Sequence, residues 1–181
     1  MKIEEIAQEF KLEGKIINIK ENKTGNINKT YIIITDKKKY ILQKINTLVF
    51  NEPYLLMQNI ENVTNYYKKY LKKNGGDTER ETLSVIKTKE GINLYRNEDE
   101  YYRMYNYVDN AITYDKSESE EMFYNVGKAL GHFVKVLNNY PMESLNETIP
   151  NFHNSKVRFK NFLKDIKKDP CNRVKIVCPE I

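Results

Sequence analysis

A polar, turn-forming loop in the first third of the chain contains the residues best suited to hold a phosphate group. It runs from Lys20 to Thr30 and lies between two stretches of strand-like alternation. Gly25 stands near its centre, and glycine lets backbone N–H groups approach an anion closely because it has no Cβ. A single glycine is weak evidence. Taken alone, the loop is better explained as an ordinary hairpin connection.

The predicted strand over residues 39–46 offers two polar side chains in succession, Gln43 and Lys44. In a kinase-like lobe this strand presents a cation or polar group to the nucleotide phosphates. Because side chains alternate along a strand, only one of the two can serve. Glu61, in the helix that follows, would pair with that group and hold it in place. The competing interpretations are a solvated lysine and an exposed helix glutamate.

The segment 104–109 marks a third candidate, because strand character gives way there to a connector. A segment that joins two lobes can hydrogen-bond an adenine ring through its backbone while large apolar residues cover the ring. Aromatic core packing explains the same residues without a ligand. His132 and His153 have no acids or thiols at ligand spacing, so both are predicted to be structural.

The periodicity of the apolar residues predicts the elements that position these groups. A short helix opens the chain and ends before Gly14, and a longer helix ends at Asn74–Gly76. The predicted strands are 15–20, 30–35, 39–46, 83–87, 92–96 and 101–108, and the long helix is 52–73. The first three strands have short connections, which favours an antiparallel meander. Strands and helices are segregated rather than alternating, so the predicted fold class is α+β.

The chain becomes helical after Asp109. A connector over 110–116 leads to a capping box with Ser117 at the N-cap and Glu120 three residues on. The helix that follows has one apolar face, formed by Met122, Val126, Leu130, Phe133 and Leu137. Gly127 and Gly131 lie on an adjacent face, where another helix could approach closely. With a last helix over about 155–168, the pattern predicts one domain over 1–108 and the start of a second, helical one over 109–181.

Composition narrows the possible classes of protein. The 181 residues correspond to ~1.2 domains. With 40% hydrophobic residues, 30% charged residues and a mean hydropathy of −0.71, the chain is too polar for a membrane protein and has enough apolar residues for a core. Its net charge of +5 is compatible with a phosphate-bearing partner. The lysines are scattered, however, so nucleic-acid binding ranks last among the hypotheses.

Compartment is predicted from the cysteines and the N-terminus. Six residues separate Cys171 from Cys178, which is not a zinc-knuckle spacing, and two reduced thiols are expected. The first residues lack the apolar region of a signal peptide. We therefore expect a cytoplasmic protein.

Taken in order, these segments resemble the aminoglycoside phosphotransferase/choline kinase superfamily, and most closely its N-acetylhexosamine kinase-like branch. No single motif is decisive, but the order and spacing together are specific, and the similarity runs from near the start to the last residue. The segments that carry it are residues 10–14, 25–31, 40–47, 49–50, 57–64, 102–108, 127–133 and 149–154, with Arg158 and residues 179–181.

The resemblance implies a protein-kinase-like N-lobe followed by the first helices of a helical C-lobe. It implies transfer of the γ-phosphate of ATP, with Mg²⁺, to a small-molecule hydroxyl, in this branch the anomeric hydroxyl of an N-acetylhexosamine. The implied cofactor-binding residues are Gly25, Asn26, Asn28, Thr30, Gln43, Lys44, Glu61, Tyr105, Asn106, Tyr107 and Val108.

The chain departs from this pattern in three ways. Lys23 stands where close relatives have a first loop glycine, and Gln43 stands where most of the superfamily has a basic residue; we favour Gln43 over Lys44 as the side chain that faces the nucleotide. The family's catalytic aspartate and metal-binding acids lie downstream of the segment that matches residues 179–181. The sequence therefore predicts an incomplete C-lobe and a fragment inactive by itself.

The alternative hypothesis is a non-catalytic interaction module or pseudo-kinase fragment. It would associate with a partner or a second copy through the helix face that carries Phe133 and Leu137.

Overall fold

One antiparallel sheet organises the first part of the chain. The computed structural model describes residues 1–23, 25–114 and 116–180. The strands are β1 (Ile16–Asn22), β2 (Lys29–Thr35), β3 (Lys39–Lys44), β4 (Val85–Ile86), β5 (Tyr95–Asn97) and β6 (Glu100–Asn106). Their order is β1-β2-β3-β6-β4, and β5 pairs with β6. The predicted meander of the first three strands is confirmed.

A β-bulge breaks the predicted alternation in β1. The register with β2 shifts between Ile16 and Asn18, so two neighbouring residues are accommodated against one partner position. Regular alternation over the predicted strand 15–20 would place Ile17 on the same face as Ile19, but Ile17 is 66% exposed, whereas Ile16 and Ile19 pack on the core. Because of the bulge, the side chain of Ile16 rather than that of Ile17 faces the core at the start of β1.

Helix α1 (Ile3–Gln8) covers one face of the sheet. Its Ile6 and Ala7, with Phe10 just beyond it, form a buried cluster with sheet residues that lie two apart along each strand. The sheet members of this cluster are Ile33, Tyr40, Leu42, Tyr102 and Met104. Burying a side chain as large as Phe10 stabilises the fold by about 2–3 kcal/mol, so this cluster fixes α1 on the sheet.

Helix α2 (Pro53–Asn74) packs on the opposite face. Leu56 and Met57, near its start, are buried with Ile45 and Leu94. The helix ends as predicted at Gly75, whose φ of +74° is the left-handed conformation that glycine adopts without strain. Its contacts with the sheet thus begin beside the end of β3, where Gln43 and Lys44 lie.

Helix α3 (Glu120–Leu137) begins two residues later than the capping box predicted. Ser119, not Ser117, is the N-cap, because its Oγ accepts a hydrogen bond of 3.1 Å from the N–H of Met122. The end of α3 packs on α2, where Val136 is buried with Tyr67 and Leu71. The predicted close approach at the two α3 glycines is not found, since a Cβ on Gly127 or Gly131 would meet no described atom within 4 Å.

A pair of hydrogen bonds joins α2 to the segment after α3. The side chain of Asn59 donates to the carbonyl of Asn146 (2.8 Å) and accepts from its N–H (2.9 Å). An amide side chain that pairs in this way satisfies both backbone groups of one loop residue. These two residues are 87 positions apart, so the contact closes a long stretch of chain.

The described chain divides into two compact units, Met1–Thr148 and Ile149–Ile181. The second contains α4 (Ser155–Lys168), as predicted, and a short α5 (Val174–Val177). An antiparallel sheet with a packed helix, followed by helices, confirms the predicted α+β class. The lobe boundary near residue 108 stays a prediction. None of the described helices is both long and apolar enough to cross a bilayer.

Candidate functional site

Three neighbouring strands bring polar side chains into one row on the face that α2 covers. Thr30 on β2 is the cross-strand partner of Gln43 on β3, and Gln43 is the partner of Arg103 on β6. The Gln43 amide donates to Thr30 Oγ1 (3.1 Å), and its Oε1 accepts from Arg103 Nε (3.1 Å) and Nη2 (3.0 Å). Tyr105, two residues after Arg103, lies on the same face. We call Thr30, Gln43, Arg103 and Tyr105 the Gln43 cluster.

The Gln43 cluster holds a positive charge in a buried position. Arg103 is 8% exposed, and its guanidinium carbon lies 5.3 Å from the centre of the Tyr105 ring. Burial lowers the pKa of the Arg103 guanidinium and raises the pKa of the Tyr105 hydroxyl. An arginine still remains protonated under such conditions. The cluster is therefore cationic at neutral pH.

Lys44 lies on the other face of the sheet. Its Nζ donates to Glu100, and Glu100 also accepts from the Tyr102 hydroxyl. The hydrogen bond from Lys44 lowers the pKa of Glu100, and burial with the Glu100 hydrogen bond raises the pKa of Tyr102. Lys44 is thus committed to an ion pair within the protein, away from the Gln43 cluster.

The pairing expected between Glu61 and a β3 side chain is not found. The two carboxylate oxygens of Glu61 accept instead from Lys87 Nζ and from Asn93 Nδ2, the latter at 2.6 Å. Burial opposes ionisation of Glu61, but these hydrogen bonds outweigh it and hold the pKa of the carboxyl below its usual value. The reason is the position of α2. This turn of the helix lies over the chain that follows β4, beyond β6, rather than over β3.

The loop between β1 and β2 holds its shape partly through side chains. Asn28 is half-buried, and its Oδ1 accepts from the N–H of Asn46 (2.9 Å), which ties the loop to the end of β3. Gly25 and Asn26 are exposed. A Cβ on Gly25 would meet the nearest atom at 3.6 Å, which is ordinary contact, so no neighbour within the described chain requires glycine there.

The connector after β6 is anchored at two of its backbone donors. The N–H of Asn106 donates to Ser84 (3.0 Å), and the N–H of Tyr107 donates to Lys39 (3.2 Å). The N–H of Val108 makes no hydrogen bond to any residue in the described ranges. Val108 is the first residue after these two anchors, and its backbone N–H, like those of Asp109 and Asn110, is not used by the described residues.

Sequence reasoning missed three residues that share this face. Ile32 and Ile41 are cross-strand partners, Ile41 also partners Tyr105, and both isoleucines are only half-buried. They form an apolar surface two residues along β2 and β3 from Thr30 and Gln43, beside Tyr105. The third is Arg103. Two features of the sequence could have indicated these residues. Ile41 lies two positions before Gln43, so both side chains face the same side of the strand. Arg103 is an arginine within a strand of mostly apolar and aromatic residues.

Within residues 1–23, 25–114 and 116–180, no three histidine, cysteine, aspartate or glutamate side chains come together as metal ligands. The described residues thus form no cluster of protein ligands that would hold a metal ion without the nucleotide. No step that uses the metal can be assigned to these residues.

Comparison with solved structures gives a distant similarity. No protein-family model matches the chain. A solved structure of spectinomycin phosphotransferase APH(9)-Ia, in complex with ADP and spectinomycin, matches with 12% sequence identity and a TM-score of 0.47. The match covers 78% of this chain and 39% of that one, so the chain spans well under half the length of the protein it matches. At this TM-score the similarity carries no functional argument.

Proposed function

We propose that this chain is the nucleotide-binding part of an ATP-dependent phosphotransferase that acts on a small-molecule hydroxyl, of the N-acetylhexosamine kinase-like branch. The observation that carries the proposal is the shared face of Gln43, Thr30 and Tyr105. Thr30 and Gln43 are predicted to face the phosphates. On this face they lie beside β6, the strand that leads into the predicted connector.

The adenine ring would lie on the half-buried apolar surface of Ile32 and Ile41. Two branched aliphatic side chains side by side offer a flat apolar area, and such areas bind the faces of planar rings. The open N–H of Val108 would donate to a ring nitrogen at the edge of that surface. Together they would supply the apolar cover and the backbone donor that adenine recognition needs.

The phosphates would extend toward the loop between β1 and β2. Gly25 is exposed there, and the absence of a Cβ leaves its backbone open to an anion. The polar edge of Thr30 and Gln43 lies on the route from the apolar surface to this loop. Lys44 is excluded from this role in the proposal because Glu100 holds it on the other face.

Mg²⁺, the acceptor site and the catalytic acid would belong to other residues of a longer enzyme. Mg²⁺ would neutralise phosphate charge when bound with the nucleotide. The residues of this chain would bind and orient ATP. An N-acetylhexosamine is the acceptor that the resemblance favours.

ADP binding to the 181-residue chain tests the proposal. We expect a Kd that isothermal titration can measure, and loss of at least about tenfold in affinity in Ile41→Glu, because a carboxylate would lie against the adenine ring and repel the phosphates. Ile17→Glu is the matched control, since Ile17 is 66% exposed at the bulge. Equal ADP affinity in Ile41→Glu and the parent chain would rule out this adenine site.

Acceptor specificity needs a separate measurement. Single-turnover transfer from ATP to N-acetylhexosamines should be seen in a longer chain that contains the catalytic acids and not in this one. Robust turnover by the 181-residue chain would contradict the proposed division of roles.

One observation favours the alternative of an interaction module. Several large apolar side chains of α3 are mostly exposed: Phe123, Tyr124, Val126, Leu130 and Val134. Val126 and Leu130 lie on the helix face expected for this role, whereas Phe133 of that face contacts Tyr67, with ring centres 5.4 Å apart. Light scattering separates the two hypotheses. A concentration-independent monomer argues against association, and dimers abolished by Leu130→Glu would support it.

A further inference from the structure

Arg103 is a buried cation without an acidic partner among the described residues. Five ion pairs are found in the described residues, and Arg103 is in none of them. Its hydrogen bonds go to one neutral amide oxygen, that of Gln43. Removing a charge from water costs several kcal/mol unless an opposite charge or a full set of hydrogen bonds replaces the water. The fold by itself meets only part of this cost.

The open edge of the guanidinium shows where a missing anion would bind. Nε and Nη2 point to Gln43, whereas Nη1 donates to no residue in the described ranges. No fully buried side-chain nitrogen or oxygen there lacks a partner, so Nη1 is in contact with solvent. A guanidinium edge matches phosphate oxygens in geometry and charge.

We propose that Arg103 is a phosphate-binding residue of the nucleotide site. Gln43 and Arg103 are direct cross-strand partners, so their side chains leave adjacent strands side by side on one face. Gln43 on β3 is neutral. The positive charge of this row lies on Arg103 of the neighbouring strand β6. Gln43 then acts as a positioning residue, because its amide oxygen holds the guanidinium by two nitrogens and directs the third outward.

This inference rests on the proposed function for the identity of the ligand, and on the geometry of Arg103 for phosphate binding itself. Inorganic tripolyphosphate is therefore the first probe and ADP the second, both titrated into the 181-residue chain. We expect Arg103→Gln to weaken tripolyphosphate binding by about 10–100-fold, the effect of losing one hydrogen bond to a charged group. Arg96→Gln is the matched control, an arginine of β5 whose ion pair with Asp99 is exposed.

A charge exchange separates phosphate binding from a structural role. In the double variant Gln43→Lys with Arg103→Gln, the cation returns to β3 within the same cross-strand pair. We expect tripolyphosphate affinity to recover to within about threefold of the parent chain. A purely structural arginine would not be replaced in this way, because the amide-to-guanidinium hydrogen bonds are lost in both variants. Circular dichroism confirms that each variant is folded.

The outcomes distinguish the inference from the proposed function. Unchanged tripolyphosphate and ADP affinity in folded Arg103→Gln overturns the inference and leaves the proposed function intact. Tripolyphosphate binding through Arg103 without ADP binding supports the inference and contradicts the proposed nucleotide site. If the parent chain does not bind tripolyphosphate, or if the double variant stays as weak as Arg103→Gln, the inference is wrong.

Discussion

Gln43 and Lys44 are adjacent in the chain and differ completely in their electrostatic surroundings. Lys44 lies on the α1 face and is neutralised by Glu100, which Tyr102 also contacts. Gln43 lies on the α2 face beside Arg103, a cation that none of the described acidic residues pairs with. One step along a strand thus separates a closed ion pair from a positively charged site that can accept an anion.

The sequence predicted the candidate site in part. Alternation alone showed that Gln43 and Lys44 face opposite sides, and turn-forming residues located the loop around Gly25. The neighbour of Gln43 could not be predicted, because Arg103 is 60 residues away and the pairing of β3 with β6 depends on the whole sheet. The partner of Glu61 was missed for a similar reason. It depends on how far α2 lies across the sheet, which a helical pattern does not specify.

Replacement of Glu61 tests its ion pair with Lys87. We expect Glu61→Gln to lower the free energy of unfolding at pH 7 by about 1–2 kcal/mol, since it removes charge-assisted hydrogen bonds from Lys87 and Asn93. The folded-state pKa of Glu61 is lowered, so its contribution is present above the unfolded pKa and is lost as the pH falls through the folded pKa.

The measurement is urea unfolding of the parent chain and the variant between pH 7 and pH 3. The difference should shrink as the pH drops below about 4.3, the unfolded-state pKa of glutamate. Glu118→Gln is the control at an exposed position. A difference between Glu61→Gln and the parent chain that stays constant down to pH 3 would show that charge is not the source of the effect.

At the scale of elements, most helices and strands follow from apolar periodicity, and the departures have local causes. Helices α2 and α4 begin and end within one residue of the prediction. The β1 bulge was missed because one inserted residue changes no residue type, only the pairing with β2. The buried face of α3 was also missed. Its exposed side is as apolar as its buried one, so composition could not show which side meets α2.

The start of α3 gives a prediction with an internal control. Ser119→Ala should destabilise the first turn by about 1 kcal/mol, because it removes the hydrogen bond to the N–H of Met122. Ser117→Ala should have a much smaller effect, since Ser117 lies before the helix and donates to the carbonyl of Ser119.

Amide hydrogen exchange at residues 121–124 is the measurement for this pair of variants. We expect exchange to accelerate about fivefold in Ser119→Ala. Equal acceleration in the two variants, or a larger one in Ser117→Ala, would contradict Ser119 as the N-cap and favour Ser117, the N-cap predicted from the sequence.

At the scale of the whole molecule, the first part of α2 packs on the sheet and its last part packs on α3. Met57 and Leu56 pack against β-sheet residues, while Tyr67 and Leu71 pack against Val136 of α3. The two hydrogen bonds between Asn59 and Asn146 add a polar contact between α2 and the segment after α3. The unit Met1–Thr148 is held together across the connector between β6 and α3 by these contacts.

That arrangement has a consequence for proteolysis. Ile112 and Tyr114 of the connector are mostly exposed, so a protease should cut there first. After brief treatment with chymotrypsin we expect two fragments on a denaturing gel but a single species in gel filtration, because Val136 and Asn146 still bind their partners on α2. Separate elution of the fragments would contradict this. If the nicked chain stays together, the two pieces could also be expressed separately and would reassemble when mixed, as a split protein.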